Sequence, residues 1–181
     1  MKGFILGVII TLLAVGGGVY CYFAGGFAPV ATSAPMMPFE KKFARLALHA
    51  KLEKEMPTHP TVEAGEQTYL AGADIYRQQC AMCHGLPRQP QTAIAKGMFP
   101  APPQLFRRHG VTDDPPGETY WKVANGIRLT GMPSFSSALS EKEMWQVTLL
   151  LANADKLPDS VKQVLGGGLE SGPSAPQGGK K

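Results

Sequence analysis

Cysteine is scarce in this chain, and its scarcity closes several routes. Three cysteines in 181 residues leave no disulfide framework. A structural zinc site takes four ligands, usually two Cys pairs, yet beside Cys80 and Cys83 there is only Cys21, set in an apolar run. Strand patterns are missing as well. No alternating segment precedes Cys80, so the βαβ context of a thioredoxin-like pair is absent. Charge is missing altogether from Gly3 to Pro38. Residues 63–165 hold ten Lys/Arg and ten Asp/Glu, so the formal net charge of +4 belongs to the two ends of the chain. Steering of partners by the net charge of that central region is expected to be weak, and no nucleic-acid partner is expected. The length allows one modest domain plus appendages.

What is present is Cys80-Ala81-Met82-Cys83-His84. Two thiols three residues apart can each form a thioether with one haem vinyl group, holding a porphyrin against a single helical turn. The histidine that follows then coordinates the iron, which is the C-x-x-C-H attachment signature. We expect one covalent haem c per chain.

The N-terminus, MKGFILGVIITLLAVGGGVYCYF, offers about twenty apolar residues after one lysine, enough for one bilayer crossing at ~1.5 Å rise per residue. Three readings compete. A lipoprotein signal through Cys21 wants a small residue before it, where Tyr20 stands. A cleaved signal peptide has Ala24-Gly25-Gly26 as its better site. An uncleaved anchor fits the long run and its interfacial tyrosines, and it is the reading we adopt. Residues 1–27 are thus the anchor, and 28–62 a linker. Residues 63–165 are the domain, and 166–181 a flexible tail rich in Gly, Pro and Ser. Within the linker, residues 38–56 place Phe39, Phe43, Leu46 and Ala50 at helical spacing between lysines and glutamates. A solvated helix packed loosely on the domain is the preferred reading; a membrane-surface or partner-docking helix is the sharper one.

The domain reads as helices joined by long loops. A first helix over about 64–79 carries Tyr69, Ala73 and Tyr76 on one face, has Gly72 for close approach, and delivers Cys80. A stretch punctuated by Pro and Gly follows. A helix at 117–125 is closed by Gly126. Ser140-x-x-Glu143 is a capping box for the last helix, 141–153, with Trp145, Leu149 and Ala152 on one face. For a sixth iron ligand, Met132 in Gly131-Met132-Pro133-Ser134-Phe135 is our choice. Pro133 stiffens that loop, and Gly131 would let its backbone approach the haem. Met98 and His109 are the rivals, read as haem-edge packing and as surface. A thioether on iron favours the reduced state.

Cys80-x-x-Cys83-His84-Gly85, Asn125-Gly126-Ile127, Gly131-Met132-Pro133 and Ser140-x-x-Glu143 together resemble a monohaem class I cytochrome c, close to the cbb3-type branch, over about residues 66–155. The resemblance implies an all-α fold whose first and last helices cross at right angles, with Tyr76 and Trp145 suited to that contact. It implies a proline carbonyl receiving the Nδ1 proton of His84, here Pro102 or Pro103. It implies one-electron transfer by Fe(III)/Fe(II) cycling with His84 and Met132 as the metal ligands, between redox protein partners. The anchor resembles that of membrane-tethered cytochromes c. Haem attachment outside the bacterial cytoplasm would put the haem domain on the periplasmic side of the inner membrane, single-pass. The charge comparison of Lys2 against Lys41, Lys42 and Arg45 alone would favour the opposite topology. The alternatives are a fixed haem subunit of a larger membrane oxidoreductase, or a haem c peroxidase or sensor, which would need an open iron position. Haem should survive denaturing electrophoresis with haem staining and be lost in the Cys80→Ala, Cys83→Ala double variant; stain retained in that variant would refute covalent attachment.

Overall fold

The computed structural model describes residues 1–107 and 110–166; His109 and the tail beyond 166 lie outside them. Helix α1 spans Lys2–Ala24 and is apolar on every side, with no buried residue. It is long and apolar enough to cross a membrane. Every side of such a helix prefers hydrocarbon to water, and none of it is covered by the rest of the protein. Helix α2, Glu40–Glu55, begins with Glu40, whose carboxylate accepts the Met37 N–H at 2.9 Å. The chain divides at about residue 48 into two compact units, described separately.

The second unit is all-helical among the described residues. Its helices are α3 (Glu66–Ile75), α4 (Ala81–His84), α5 (Ala93–Gly97), α6 (Pro116–Asn125), α7 (Glu141–Ala152) and α8 (Asp159–Gly166). The all-helical architecture is the one expected. Helix α7 is the centre of the core, burying Met144, Trp145, Val147 and four consecutive residues from Thr148 to Leu151. It starts where the sequence said it would. Ser140 Oγ accepts from the Glu143 N–H at 3.3 Å, and the Glu143 carboxylate accepts from the Ser140 N–H at 2.8 Å. Helix α6 begins with proline in its first turn and stops at Gly126, whose φ of +67° suits glycine.

Helix α3 crosses α7 through Gly72. A Cβ there would overlap the backbone carbonyl of Gln146 and press on Leu150, so the two backbones approach as only glycine permits. Tyr76 and Trp145, read as suited to the contact between these helices, are both buried. Trp145 stacks on Tyr120 of α6, centroids 4.2 Å apart, and Tyr76 meets the edge of Phe106 at 4.9 Å.

Two elements differ from expectation. The helix read as 64–79 is α only from Glu66 to Ile75; Tyr76–Cys80 is a π-helical turn, closed by the Ala81 N–H donating to the Tyr76 carbonyl. Helix α7 is not the last. Pro158 and Asp159 open α8, which buries Val161 and Leu165 and packs along α3, with Ser160 Oγ donating to Glu66. Those two apolar residues four apart behind a Pro-Asp start were its signal.

Replacing Gly72 by Ala should destabilise the domain by about 1–3 kcal/mol through overpacking. A lowered urea midpoint with unchanged slope would register this, and an unchanged midpoint would show that the crossing yields freely.

Candidate haem site

The attachment motif sits where one helical trajectory ends and another begins. The π turn inserts one residue into the spacing of α3, and Cys80 follows as the last residue of that turn, with Cys83 and His84 on the short helix α4. Tyr76, fully buried, donates its hydroxyl proton to the Gly85 carbonyl at 2.7 Å. Burial raises the Tyr76 phenol well above its ordinary value, so it stays a donor. On the far side, Thr92 Oγ1 donates to the Met82 carbonyl at 2.6 Å and also caps α5 by accepting the Ala95 N–H. The motif is thus fastened at both ends.

His84 Nδ1 lies 2.8 Å from the carbonyl oxygen of Pro103. A proline carbonyl can only accept, so Nδ1 carries the proton and Nε2 keeps its lone pair. Of the two prolines expected, it is Pro103 and not Pro102 that makes this bond. Burial lowers the His84 pKa, and the Pro103 bond opposes that shift only partly. The imidazole is therefore held neutral, the form in which it binds metal. Burial, with the neighbouring Cys83, pushes the Cys80 thiol up to about 12, and neither thiol is in a disulfide. Buried beside the same loop is the Gln104 Nε2, which has no hydrogen-bond partner, while the Gln104 Oε1 fills the space a side chain at Gly85 would need. Two unpaired thiols, a neutral imidazole with one nitrogen committed, and an orphaned amide fit a prosthetic group bonded through sulfur and ligated through Nε2. His84 would supply the axial nitrogen, and the haem its one-electron iron chemistry.

Met132 is half-buried against the edge of the core. Its loop hangs from the end of α6. The Ile127 N–H donates to the Met132 carbonyl at 3.1 Å, the Phe135 N–H to the Val123 carbonyl at 3.0 Å, and Ser134 Oγ to the Ala124 carbonyl at 2.6 Å. A Cβ on Gly126 would sit 2.6 Å from Pro133 and Ser134 backbone atoms. Gly131 also borders a second methionine. Its missing side chain leaves room for the terminal methyl of Met98, which rests on it. Met98 is therefore a neighbour of the Met132 loop, a contact between distant segments that no local pattern announces.

Among the apolar residues on the motif and the loops that follow, Met82, Ile94 and Leu129 are exposed and Leu86 is buried. Arg88, Lys96 and Arg128 are exposed around them, and the sequence has no carboxylate between Asp74 and Asp113. The zero net charge of the region hides a basic share on the segments that carry the motif.

Residues 67–150 match the family described as cytochrome c oxidase, cbb3-type, subunit III. Residues 67–150 form a class I cytochrome c domain. Its cofactor is covalent haem c, and Cys80, Cys83 and His84 fit the attachment motif. The role of such a domain is electron transfer. Among solved structures, the chain is similar to the reducing HAO-like protein complex of Kuenenia stuttgartiensis. That likeness has 26% identity and a TM-score of 0.44, and it covers 53% of this chain and 47% of that one. No curated protein matches the sequence.

Tyr76→Phe leaves the buried Gly85 carbonyl without its donor. We expect the cytochrome c domain to lose about 1–3 kcal/mol, seen as a lower urea midpoint. No change would mean the hydroxyl merely fills space.

Proposed function

We propose that this protein is a membrane-tethered one-electron carrier. Its haem c is ligated by His84 and Met132 and passes electrons between redox proteins on the periplasmic side of a bacterial inner membrane. The observation that carries the reading is the His84 ring, held neutral and oriented by Pro103 beside two free thiols at C-x-x-C spacing. A hydrogen bond from Nδ1 to a carbonyl raises the basicity of Nε2 and fixes the ring plane relative to the iron. Little reorganisation of that ligand is then needed between the two oxidation states.

Met132 supports the reading by its placement. A thioether on iron stabilises the reduced state, and a loop pinned at Ile127, Ser134 and Phe135 holds the sulfur without relying on the iron bond alone. With His84 and Met132 both holding the iron, no position would be open to oxygen or peroxide, which distinguishes a carrier from the enzyme reading. Helix α1 supplies the tether, which raises the effective concentration of carrier near membrane-bound partners without any new contact. The matching family is named for an oxidase subunit. That favours, as second reading, the same haem chemistry in a fixed subunit of a larger complex; the size of the detergent-extracted species separates the two.

Met132→Ala should abolish the weak near-infrared band of a sulfur–iron bond in the oxidised protein, lower the potential and open the reduced iron to carbon monoxide. Should Met98→Ala do all this while Met132→Ala does not, the ligand is Met98. Carbon monoxide binding by the unaltered protein would instead point to the peroxidase or sensor.

A further inference from the structure

Helix α2 has two faces with opposite fates. Leu52 is 3% exposed, and Glu55 accepts a hydrogen bond from Trp121 Nε1 at 3.2 Å. Just beyond the helix, the Pro57 carbonyl occupies the space a side chain on Gly117 would take. The C-terminal end of α2 is thus built into the cytochrome c domain. At 3.6 residues per turn, Phe43, Leu46 and Ala50 fall on the side opposite Leu52 and Glu55, and the ring of Phe39, just before the helix, meets that of Phe43. Phe39, Phe43 and Leu46 are 68%, 64% and 63% exposed.

We propose that this exposed face of α2 lies on an anionic bilayer surface, as a second membrane contact besides the α1 span. The charges around it argue for that occupant. Lys42 and Lys54 flank the apolar stripe on its two sides, with Glu53 beside Lys42, and Arg45 lies further round. Their stems can lie along acyl chains while their heads reach lipid phosphates. Continuity argues for it too. Helix α1 ends at Ala24, and the intervening segment, at ~3.3–3.6 Å per residue, cannot carry Phe39 more than about 50 Å from that end. Along it, Phe27, Val30 and Met36 are exposed apolar residues as well. A stripe of large apolar groups confined so near a bilayer meets lipid more often than any other apolar partner. The inference rests on the tether proposed above.

The test uses the full-length, haem-loaded protein in liposomes of phosphatidylcholine with phosphatidylglycerol, with Cys21→Ser to clear the background thiol. Nitroxide labels are placed singly through Leu12→Cys in α1, Ala50→Cys on the stripe and Ser137→Cys on the domain. The label at 50 should be more accessible to oxygen than to a water-soluble nickel chelate, as at 12, with the order reversed at 137. Phe43→Ser with Leu46→Ser should return the label at 50 to water and leave that at 12 in lipid. Omitting phosphatidylglycerol should weaken the contact at 50 alone. If 50 behaves like 137 while 12 is in lipid, the surface contact is wrong and the tether stands. If 12 is in water, the tether fails and this proposal with it. Spin–spin broadening between labels at 50 would mean that a second copy of the chain covers the stripe, which also overturns it.

Discussion

The bond from His84 Nδ1 to the Pro103 carbonyl joins two segments nineteen residues apart, and the geometry of the site follows from it. Between the partners runs a stretch too broken by proline and glycine for extended regular structure, with one short helix, α5. Such a stretch holds its course only if its ends and middle are fastened. Pro103 fastens one end through the imidazole, Thr92 fastens the middle through the Met82 carbonyl, and Gln104 fills the hollow at Gly85. Each fastening lands on the attachment motif or the residue after it. The loop is therefore ordered by the group it positions, and the motif is oriented by the loop.

The core explains why so small a domain can hold this arrangement. Helix α7 presents apolar residues on most of its circumference, because α3 and α6 cover it from different sides and α8 packs on α3. Gly72 allows the α3 crossing to be close, and the Tyr120–Trp145 stack fills the α6 side. Thr148, wholly buried with its hydroxyl unpartnered, is the one uncompensated polar group in that helix. The π turn at Tyr76–Cys80 gains meaning here. Residues up to Ile75 keep the register that α7 and α8 require, and the extra residue per turn lets Cys80, Cys83 and His84 take a different one.

Local chemistry was legible in the sequence, and long-range contact was not. The capping box at Ser140, the stop at Gly126 and the motif at Cys80 depend on residues within a few positions of one another, so their pattern carries their structure. The choice of Pro103 over Pro102 depends on where a loop arrives in space. Adjacent prolines offer equivalent carbonyls in sequence, and only the fold distinguishes them. The same limit applies to the ring partners of Tyr76 and Trp145, since Phe106 and Tyr120 reach them from distant segments. Helix α8 was overlooked because it is short, eight residues, and carries only three apolar side chains.

Charge shows how a total can mislead where a distribution would not. Ten basic and ten acidic residues over 63–165 suggest a domain indifferent to charged partners. A partner at contact, however, senses charges within about a Debye length, ~8 Å at physiological salt, and not the sum over the domain. On the described segments around the motif the exposed charges include Arg88, Lys96 and Arg107, while many of the carboxylates belong to Glu63–Asp74 and to the start of α7. A tethered carrier gains from that division. Confinement to the bilayer, as proposed, would already bring it near membrane-bound partners, so long-range attraction would add little to encounter. What remains to be selected is orientation, and a local basic share beside exposed Met82, Ile94 and Leu129 biases orientation at short range without drawing the domain to every acidic surface.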